Sequence, residues 1–504
     1  MLIVVIYSLS VAIIGSALHS SYGFPLDDSY IHQTIARNLA HYGVLGFIPG
    51  VPSAGSTSVL WPFIQALNYK FVHVDPVAFN LVISGVILAT IGVLLFLLAE
   101  GDGLPRLYSF VFAVAPAFSG NFIWLALIAM EHLLFTALAL GFIYFWTERQ
   151  CARCAVGAGT CGGLLVLTRP EALIFALIFG SVLMVTGWKN KRSLLFTLIP
   201  WIVSIAVFCA VNRYTSHSLM PATMEGRNWL YFHSFGGPHS FRSLLIFLLL
   251  WLRRLQMQVS IWHPGMHFIM LRCFIPLGLL FIGAAWLIRR GGPRIRLVLL
   301  FAAAHFSVFL LQFPTTGQGA RYQPLNLLLL FPCMFFGLLY LFQRLMKKHK
   351  ETAAAIAVTT LIAAGAASLG TWRIVSIDAI AHINNTHARA AQWLLNNVPA
   401  NARVAVFDIG RISYDWNHRV IDLGGLVDPT YTPYLLNHSV PSYAQKQKAD
   451  YLILPSGSFA ADLGFTQIST LRQIARFCSP LDAWDISSRY TGNAEQCQTI
   501  YKLP

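Results

Sequence analysis

Two adjacent carboxylates, Asp27 and Asp28, follow the first apolar segment and are the residues best suited to chemistry. Residues 1–371 contain ten acids, and this is their only adjacent pair. Charged groups beside a bilayer are costly to desolvate and usually serve a function. A carboxylate here could act as a general base toward an attacking hydroxyl, or the pair could hold a divalent cation such as Mg²⁺, Mn²⁺ or Ca²⁺. The structural alternative is that Asp27 caps the helix that follows it.

Other polar segments that interrupt the apolar sequence supply groups suited to phosphate or proton chemistry. Arg321, followed by Tyr322, could pair with phosphate oxygens through two hydrogen bonds, or it could snorkel to the lipid headgroups. Arg169 could bind a phosphate, or it could form an ion pair with Glu171 inside a helical hairpin. The remaining candidates for the same cavity are Glu131, His132, Glu225 and Arg227.

Glu131 has two interpretations, because it opens an apolar helix. A glutamate there complements the positive end of the helix dipole without any functional role. A glutamate at the mouth of an apolar helix, beside His132, is also suited to line a polar cavity. We expect Glu131 in the cavity.

The composition identifies an integral membrane protein with a polar tail. The chain has 504 residues, of which 56% are hydrophobic and 11% charged, and a mean hydropathy of +0.62. Of the net charge of +15, residues 1–371 contribute +14 (24 Lys/Arg, ten acids) and residues 372–504 contribute +1 (11 and 10). The basic excess lies in short loops, which is a membrane property and does not indicate nucleic-acid binding. We predict a transmembrane domain over 1–371 and an α/β domain over 372–504.

Loop charge predicts the topology, since basic loops face the cytoplasm. The dense ones are Arg149–Arg153, Lys189–Arg192, Arg289–Arg296 and Arg344–Lys350. About eleven spans result, near 2–20, 76–98, 106–120, 131–147, 153–168, 171–187, 194–211, 268–288, 296–312, 324–343 and 353–371. The apolar stretches 58–73 and 241–256 are expected to lie on the membrane without crossing it. The first helix is expected to stay uncleaved, with the N-terminus inside and the tail outside.

This topology places the unusual polar residues on one side of the membrane. The first outer loop, 21–75, carries the acid pair, and a short amphipathic helix is expected after it. The outer ends of later helices carry the other candidates. Because packing alone does not require such insertions, we predict one polar cavity at the outer membrane surface.

The tail and its cysteines give further expectations. A helix is predicted over 385–396, strands over 403–408, 419–422 and 450–455, and a helix near 471–478. Asp408, Asp422 and Asp428 could bind a glycan or a metal, or could organise turns at strand ends. Cys478 and Cys497 are expected to pair if the tail lies in an oxidising compartment. Cys151 and Cys154 lack the second pair that a zinc site needs.

Several segments, taken in order, resemble the GT-C glycosyltransferases, polytopic enzymes whose donors are polyprenyl-phosphate sugars. The nearest group is the mycobacterial terminal arabinofuranosyltransferases and their bacterial relatives. Ala129 stands where the relatives usually have glycine, and Ala222 where they usually have asparagine. The matching segments are Asp27–Tyr30, Ala36–Ala40, Ile48–Gly50, Gly55–Trp61, Met130–His132, Leu167–Glu171, Leu219–Thr223, Arg321–Pro324, Phe407–Gly410 and Val420–Pro429.

The resemblance implies an inverting sugar transfer at the outer leaflet of a bacterial inner membrane, onto a glycan, lipid or protein of the cell envelope. It implies that an aspartate of the Asp27–Asp28 pair is the base and that Arg321 holds the lipid-linked phosphate. Two other classes stay open. A lipid or glycan flippase would favour polar residues spread along the spans and internal repeats. A nonenzymatic envelope-assembly protein would not need the acid pair.

Overall fold

Apolar helices account for most of the chain, and a small mixed sheet forms near its C-terminal end. The computed structural model describes residues 1–148, 151–186, 191–221, 223, 240–259, 269–312, 316–428, 430–455, 463–465, 471–480 and 495–503. The predicted candidates Glu225 and Arg227 lie outside these described residues.

The helices of the membrane part follow the predicted spans closely. They are α1 (Leu2–Gly15), α2 (Asp27–Tyr42), α3 (Leu60–Leu67), α4 (Pro76–Gly101), α5 (Arg106–Val114), α6 (Gly120–Trp124), α7 (His132–Thr147), α8 (Ala152–Thr168), α9 (Ala172–Thr186), α10 (Lys191–Ser216), α11 (Phe241–Val259), α12 (Ile269–Arg290), α13 (Pro293–Gln312), α14 (Pro324–Leu345) and α15 (Lys350–Ile383). Within the described ranges, six helical segments are long and apolar enough to cross a membrane, and five more apolar helices are shorter. The polytopic α-helical prediction is confirmed, and the count of eleven spans stays a prediction.

Glycines let some of these helices approach with their backbones in contact. A Cβ on Gly283 of α12 would lie 1.7 Å from the carbonyl oxygen of Cys333 in α14. A Cβ on Gly337 of α14 would lie 2.1 Å from the carbonyl oxygen of Leu279. Because lipid offers no hydrophobic drive for helix association, such close approach through small residues is a main source of packing energy.

The loop 21–75, predicted to lie on the outer side, contains two helices that do not need to cross the membrane. α2 begins at the acid pair and ends at Gly43, whose positive φ of 68° lets its N–H return to the carbonyl of Leu39. α3 has eight residues, so it is about 12 Å long, well short of the ~30 Å apolar core of a bilayer. α2 carries the candidate carboxylates.

One long helix connects the membrane part to the tail. α15 has 34 residues and is about 50 Å long, so its final turns project beyond a ~30 Å bilayer core. It continues through a π-helical turn, Asn384–Ala388, into α16 (Arg389–Asn397), where the helix 385–396 was predicted. The proposed boundary at residue 371 therefore falls inside a continuous helix.

The described residues of the tail form a sheet of five strands in the order β2-β1-β3-β5-β4. β1 pairs in parallel with β2 and β3, and β5 runs antiparallel to β3 and β4. The strands and the tail's other helices are β1 (Val404–Val406), α17 (Ile409–Trp416), β2 (Val420–Asp422), α18 (Thr432–Leu436), α19 (Val440–Lys446), β3 (Tyr451–Pro455), β4 (Arg472–Pro480) and β5 (Glu495–Lys502). The predicted α/β fold of the tail is present.

The predicted helix near 471–478 is wrong, because this segment forms the edge strand β4. The register of β4 against β5 shifts between Gln473 and Ala475. The consecutive apolar residues Ile474 and Ala475 break the alternation expected of a strand, and the bulge accommodates the extra residue. The resulting spacing resembles that of a helix. Opposite each other on β4 and β5, Cys478 and Cys497 form a disulfide.

Candidate active site

An ion pair between Asp28 and Arg321 joins residues 293 positions apart and marks the centre of the site. Asp28 lies in the first turn of α2, and Arg321 follows the 3₁₀ turn Gln318–Ala320 that precedes α14. The Asp28 side chain is 39% exposed, while that of Arg321 is 4% exposed. The carboxylate therefore faces the open side of the site, and the guanidinium faces the protein.

The surroundings of Arg321 hold its guanidinium in a fixed orientation. Its Nη1 donates to the Gln318 side-chain oxygen, its Nη2 lies 3.5 Å from the Tyr322 hydroxyl, and its Cζ lies 5.1 Å from the Tyr322 ring centroid. Its buried Nε has no hydrogen-bond partner among the residues that the structure describes. Arg321 therefore retains a donor for a further acceptor.

A second charged group lies deeper, around Arg169. Nη1 donates to Glu131 at 3.0 Å, Nη2 donates to Glu171 at 2.9 Å, and all three side chains are at least nine-tenths buried. Pro170 explains the position of Arg169, because a residue before proline avoids the α conformation. α8 ends at Thr168, and Arg169 is extended at φ −151°.

His32 links this buried group to the first outer loop. Its Nε2 lies 3.6 Å from Glu131, and its Nδ1 lies 3.3 Å from the Ser56 hydroxyl. Sequence reasoning missed His32 and Ser56 as site residues. A signal was present for His32, because it lies four residues after Asp28 and such residues share one face of a helix.

The Tyr322 ring lies between the two arginines, since its centroid is 5.8 Å from Arg169 Cζ, 5.1 Å from Arg321 Cζ and 6.3 Å from the His132 ring centroid. The structure thus brings predicted candidates from four separate segments into one site. These candidates are Asp28, Glu131, His132, Arg169, Glu171, Arg321 and Tyr322.

Asp27 lies beside Asp28 in sequence but has different partners. Its Oδ2 accepts from the Gly410 N–H at 2.8 Å, and its Oδ1 accepts from the Arg411 N–H at 2.7 Å. Asp27 therefore caps a helix of the tail, α17, and not its own helix. Burial raises the pKa of Asp27 to about 6, against the opposing effect of His387. A raised pKa would suit a general base. Both carboxylate oxygens of Asp27, however, already accept hydrogen bonds from backbone N–H groups, and this geometry argues against Asp27 as the base.

The two arginines differ in how easily each could release its partner. Arg169 is enclosed by two carboxylates, and its single positive charge is exceeded by their two negative charges. Arg321 faces one carboxylate that solvent reaches. An incoming anion would displace one exposed partner at Arg321 and two buried ones at Arg169. Arg321 is the better anion site, and a phosphate role for Arg169 stays a prediction.

The described residues contain no group of three or more His, Cys, Asp or Glu side chains arranged to hold a metal ion. The two carboxylates of the acid pair bond to different elements, Asp27 to α17 and Asp28 to Arg321. A divalent cation at this pair would have to compete with both sets of partners. The cation stays a prediction.

The tail acids have local structural partners. Asp422 accepts from the backbone N–H groups of Gly424, Leu426 and Val427, and burial raises its pKa to about 6. Asp428 accepts from Thr430 and from the Tyr443 hydroxyl. These contacts are those of acids that organise turns.

Comparison with known proteins establishes the fold. ArnT from Cupriavidus metallidurans bound to undecaprenyl phosphate has a TM-score of 0.52 and 10% identity, and the alignment covers 98% of this chain and 97% of that one. The apo state of ArnT gives 0.55 and 12%, with the same coverage. Likenesses at such identity establish fold alone, and the chain has the predicted GT-C-like fold.

Two further comparisons match only part of the other protein or only part of this chain. The arabinofuranosyltransferase AftD from mycobacteria gives 14% identity over 99% of this chain and 41% of that chain, with a TM-score of 0.48, too low to establish a shared fold. Residues 378–501 match a family described as a domain of unknown function, DUF8728. No curated protein matches the chain.

We predict that Arg169→Met lowers the free energy of unfolding by about 3–5 kcal/mol, because it leaves two buried glutamates without their counter-charge. Thermal unfolding of the purified protein in lipid nanodiscs measures the change. Arg344→Met removes an exposed arginine at the far end of α14 and is the matched control, with little change expected. Equal stability of the two variants would contradict a structural role for the buried group.

Proposed function

We propose that the chain is a membrane glycosyltransferase that moves a sugar from a polyprenyl-phosphate donor to an acceptor hydroxyl at the outer face of the membrane, with inversion at the anomeric carbon. The observation that carries the proposal is the pairing of Asp28 with Arg321 in a chain with a GT-C-like fold. Either residue alone would have a structural explanation. Together they supply both charges that the reaction requires.

Arg321 is suited to hold the phosphate of the donor. A guanidinium binds phosphate oxygens in a bidentate geometry, and the Nε of Arg321 is without a partner among the described residues. As the bond from the anomeric carbon to the phosphate oxygen breaks, both bonding electrons pass to the leaving phosphate. A positive charge already fixed where that negative charge develops stabilises the transition state.

Asp28 is suited to be the general base. When a phosphate takes its place on Arg321, the carboxylate is released toward the open side of the site. It then accepts the proton of the acceptor hydroxyl, whose oxygen bonds to the anomeric carbon. Because the attack comes from the side opposite the leaving phosphate, a single displacement inverts that carbon.

The buried group behind this pair gives the site a rigid wall. His32 of α2 and Arg169, just after α8, both pair with Glu131, which precedes α7. Because these side chains are buried and bound to one another through Glu131, they tie three parts of the chain together behind the phosphate site. The acceptor class, a glycan, a lipid or a protein of the cell envelope, is assigned by the resemblance alone.

We predict that Asp28→Asn lowers sugar transfer by about 10²-fold or more, because an amide cannot take the proton. The assay compares envelope sugar composition in a deletion strain that carries the wild type or the variant at equal membrane abundance. Asp75→Asn, which removes the carboxylate that caps α4, is the matched control and should restore the sugar. Full restoration by Asp28→Asn would refute the assignment.

We predict that Arg321→Gln weakens undecaprenyl phosphate binding by about 10- to 100-fold, since a hydrogen bond to a charged group contributes roughly 1.5–3 kcal/mol. Arg321→Lys keeps the charge but loses the bidentate geometry, so its affinity should lie between those of the wild type and of Arg321→Gln. Binding is measured by titration of purified protein in nanodiscs, with Arg344→Gln as control. An unchanged affinity in Arg321→Gln would place the phosphate elsewhere.

The predicted orientation of the chain in the membrane can be tested by labelling single cysteines. In a background with Cys151→Ser and Cys154→Ser, Val51→Cys should react with a membrane-impermeant maleimide in intact spheroplasts, because Val51 is 47% exposed in the first outer loop. Lys348→Cys, in a basic loop expected in the cytoplasm, should react only after permeabilisation. The reverse pattern would overturn the orientation.

A further inference from the structure

We propose that the tail is a working part of the transfer site, and that Asp27 is the positioning residue through which α17 of the tail fixes α2 and therefore Asp28. The inference rests on the proposed function, since it assigns Asp28 as the base. It gives the two carboxylates of the pair separate tasks. Asp28 takes the proton of the acceptor hydroxyl, and Asp27 binds the N-terminus of α17.

The contact at Asp27 is specific and directional. The N-terminus of a helix carries N–H groups without partners inside the helix and a partial positive charge. The Asp27 carboxylate accepts from two of these groups, at Gly410 and Arg411, and is only 17% exposed. Both hydrogen bonds connect residues more than 380 positions apart, so they join the tail to α2.

Gly410 makes the close approach sterically possible. A Cβ at this position would lie 2.0 Å from the backbone oxygen of Asp27 and 2.7 Å from its carboxyl carbon. Any side chain at residue 410 would therefore have to push α2 and α17 apart. The sequence supplies the one residue type that allows α17 to reach α2.

Further contacts flank Asp27 along α2. The Arg411 side chain donates to the Tyr30 hydroxyl, and its Cζ lies 4.5 Å from the centroid of that ring. Two turns farther on, Arg37 donates to the Tyr414 carbonyl at 3.0 Å and to the Asn417 side chain at 2.7 Å. The tail therefore contacts α2 over several turns and not at a single point.

The long helix from the membrane also reaches this contact. His387, in the π-helical turn after α15, has its Nε2 3.9 Å from Asp27 and 3.7 Å from Asp408. Gln498 of β5 donates to Asp408 at 2.7 Å. Asp27 thus lies where α2, the extended α15 and the tail meet, which gives α2 a support anchored in the bilayer.

Because the two aspartates are adjacent, the contacts that hold Asp27 also set the position of Asp28. Consecutive residues on a helix project about 100° apart, so Asp27 can hold the tail while Asp28 faces Arg321. Fixing the backbone at Asp27 fixes the Asp28 backbone one residue away. Because a displacement of about 1 Å of a reacting group costs roughly 10²-fold in rate, loosening this contact should slow transfer without weakening donor binding.

The experiment compares Asp27→Asn, Asp27→Ala and Gly410→Ala in the full-length protein. Three quantities are measured: envelope sugar restored in the deletion strain at equal protein abundance, undecaprenyl phosphate affinity in nanodiscs, and hydrogen exchange of residues 27–42. We expect about tenfold less sugar for Asp27→Asn and Gly410→Ala, a larger loss for Asp27→Ala, phosphate affinity within twofold of wild type, and faster exchange in α2.

Asp102→Asn is the matched control. Asp102 accepts from the backbone N–H groups of Arg294 at 3.1 Å and Ile295 at 2.7 Å, so it caps α13 as Asp27 caps α17. It lies at the C-terminal end of α4, and these hydrogen bonds join α4 to α13 and not to α2. Asp102→Asn should lose the same kind of hydrogen bonds and restore the sugar in full.

Each other outcome overturns the positioning role. Wild-type sugar levels in Gly410→Ala would show that the tail contact does not matter for transfer. Loss of phosphate binding together with transfer would indicate a general structural role. Inactivity of Asp27→Asn beside a fully active Gly410→Ala would make Asp27 itself the base. Failure of the proposed function is read separately, from Asp28→Asn, which would then restore the sugar as wild type does.

Discussion

The ion pair between Asp28 and Arg321 is the contact around which the proposed site is arranged. It joins the first outer loop to the turn before α14, across 293 residues of sequence. A half-exposed carboxylate over a buried guanidinium is an exchangeable arrangement, because an anion of better geometry can replace the carboxylate without stranding a buried charge. This property makes the pair suitable for a reaction in which a phosphate arrives and a proton acceptor is released.

The other buried charges of the site are not exchangeable in this way. Arg169 is enclosed by Glu131 and Glu171, and removing Arg169 would leave two buried carboxylates without a counter-charge in a region of low dielectric. The membrane part therefore combines an arginine whose two partners are buried with an arginine whose partner, Asp28, is partly exposed. The tail adds a third element at Asp27, so that the backbone carrying Asp28 is also held by hydrogen bonds from α17.

The sequence predicted the apolar helices well. A long apolar segment in lipid has no water to hydrogen-bond its backbone, so it must form a helix, and hydropathy therefore reveals the helices directly. Four of the polar segments that were predicted to share a cavity contain residues that the structure brings together, and the segment with Glu225 and Arg227 lies outside the described residues. The sequence did not predict the separate tasks of Asp27 and Asp28, because the partners of Asp27 lie more than 380 residues away. The edge strand β4 was missed, because the consecutive apolar residues Ile474 and Ala475 at its bulge break the alternation expected of a strand. Such long-range contacts and local irregularities leave no periodic signal.

The decisive measurement is a structure of the protein in lipid nanodiscs with undecaprenyl phosphate bound. We expect a phosphate oxygen about 2.7–2.9 Å from the guanidinium nitrogens of Arg321, with the Asp28 carboxylate released from that arginine. A phosphate bound away from Arg321, with the Asp28–Arg321 pair intact, would contradict it.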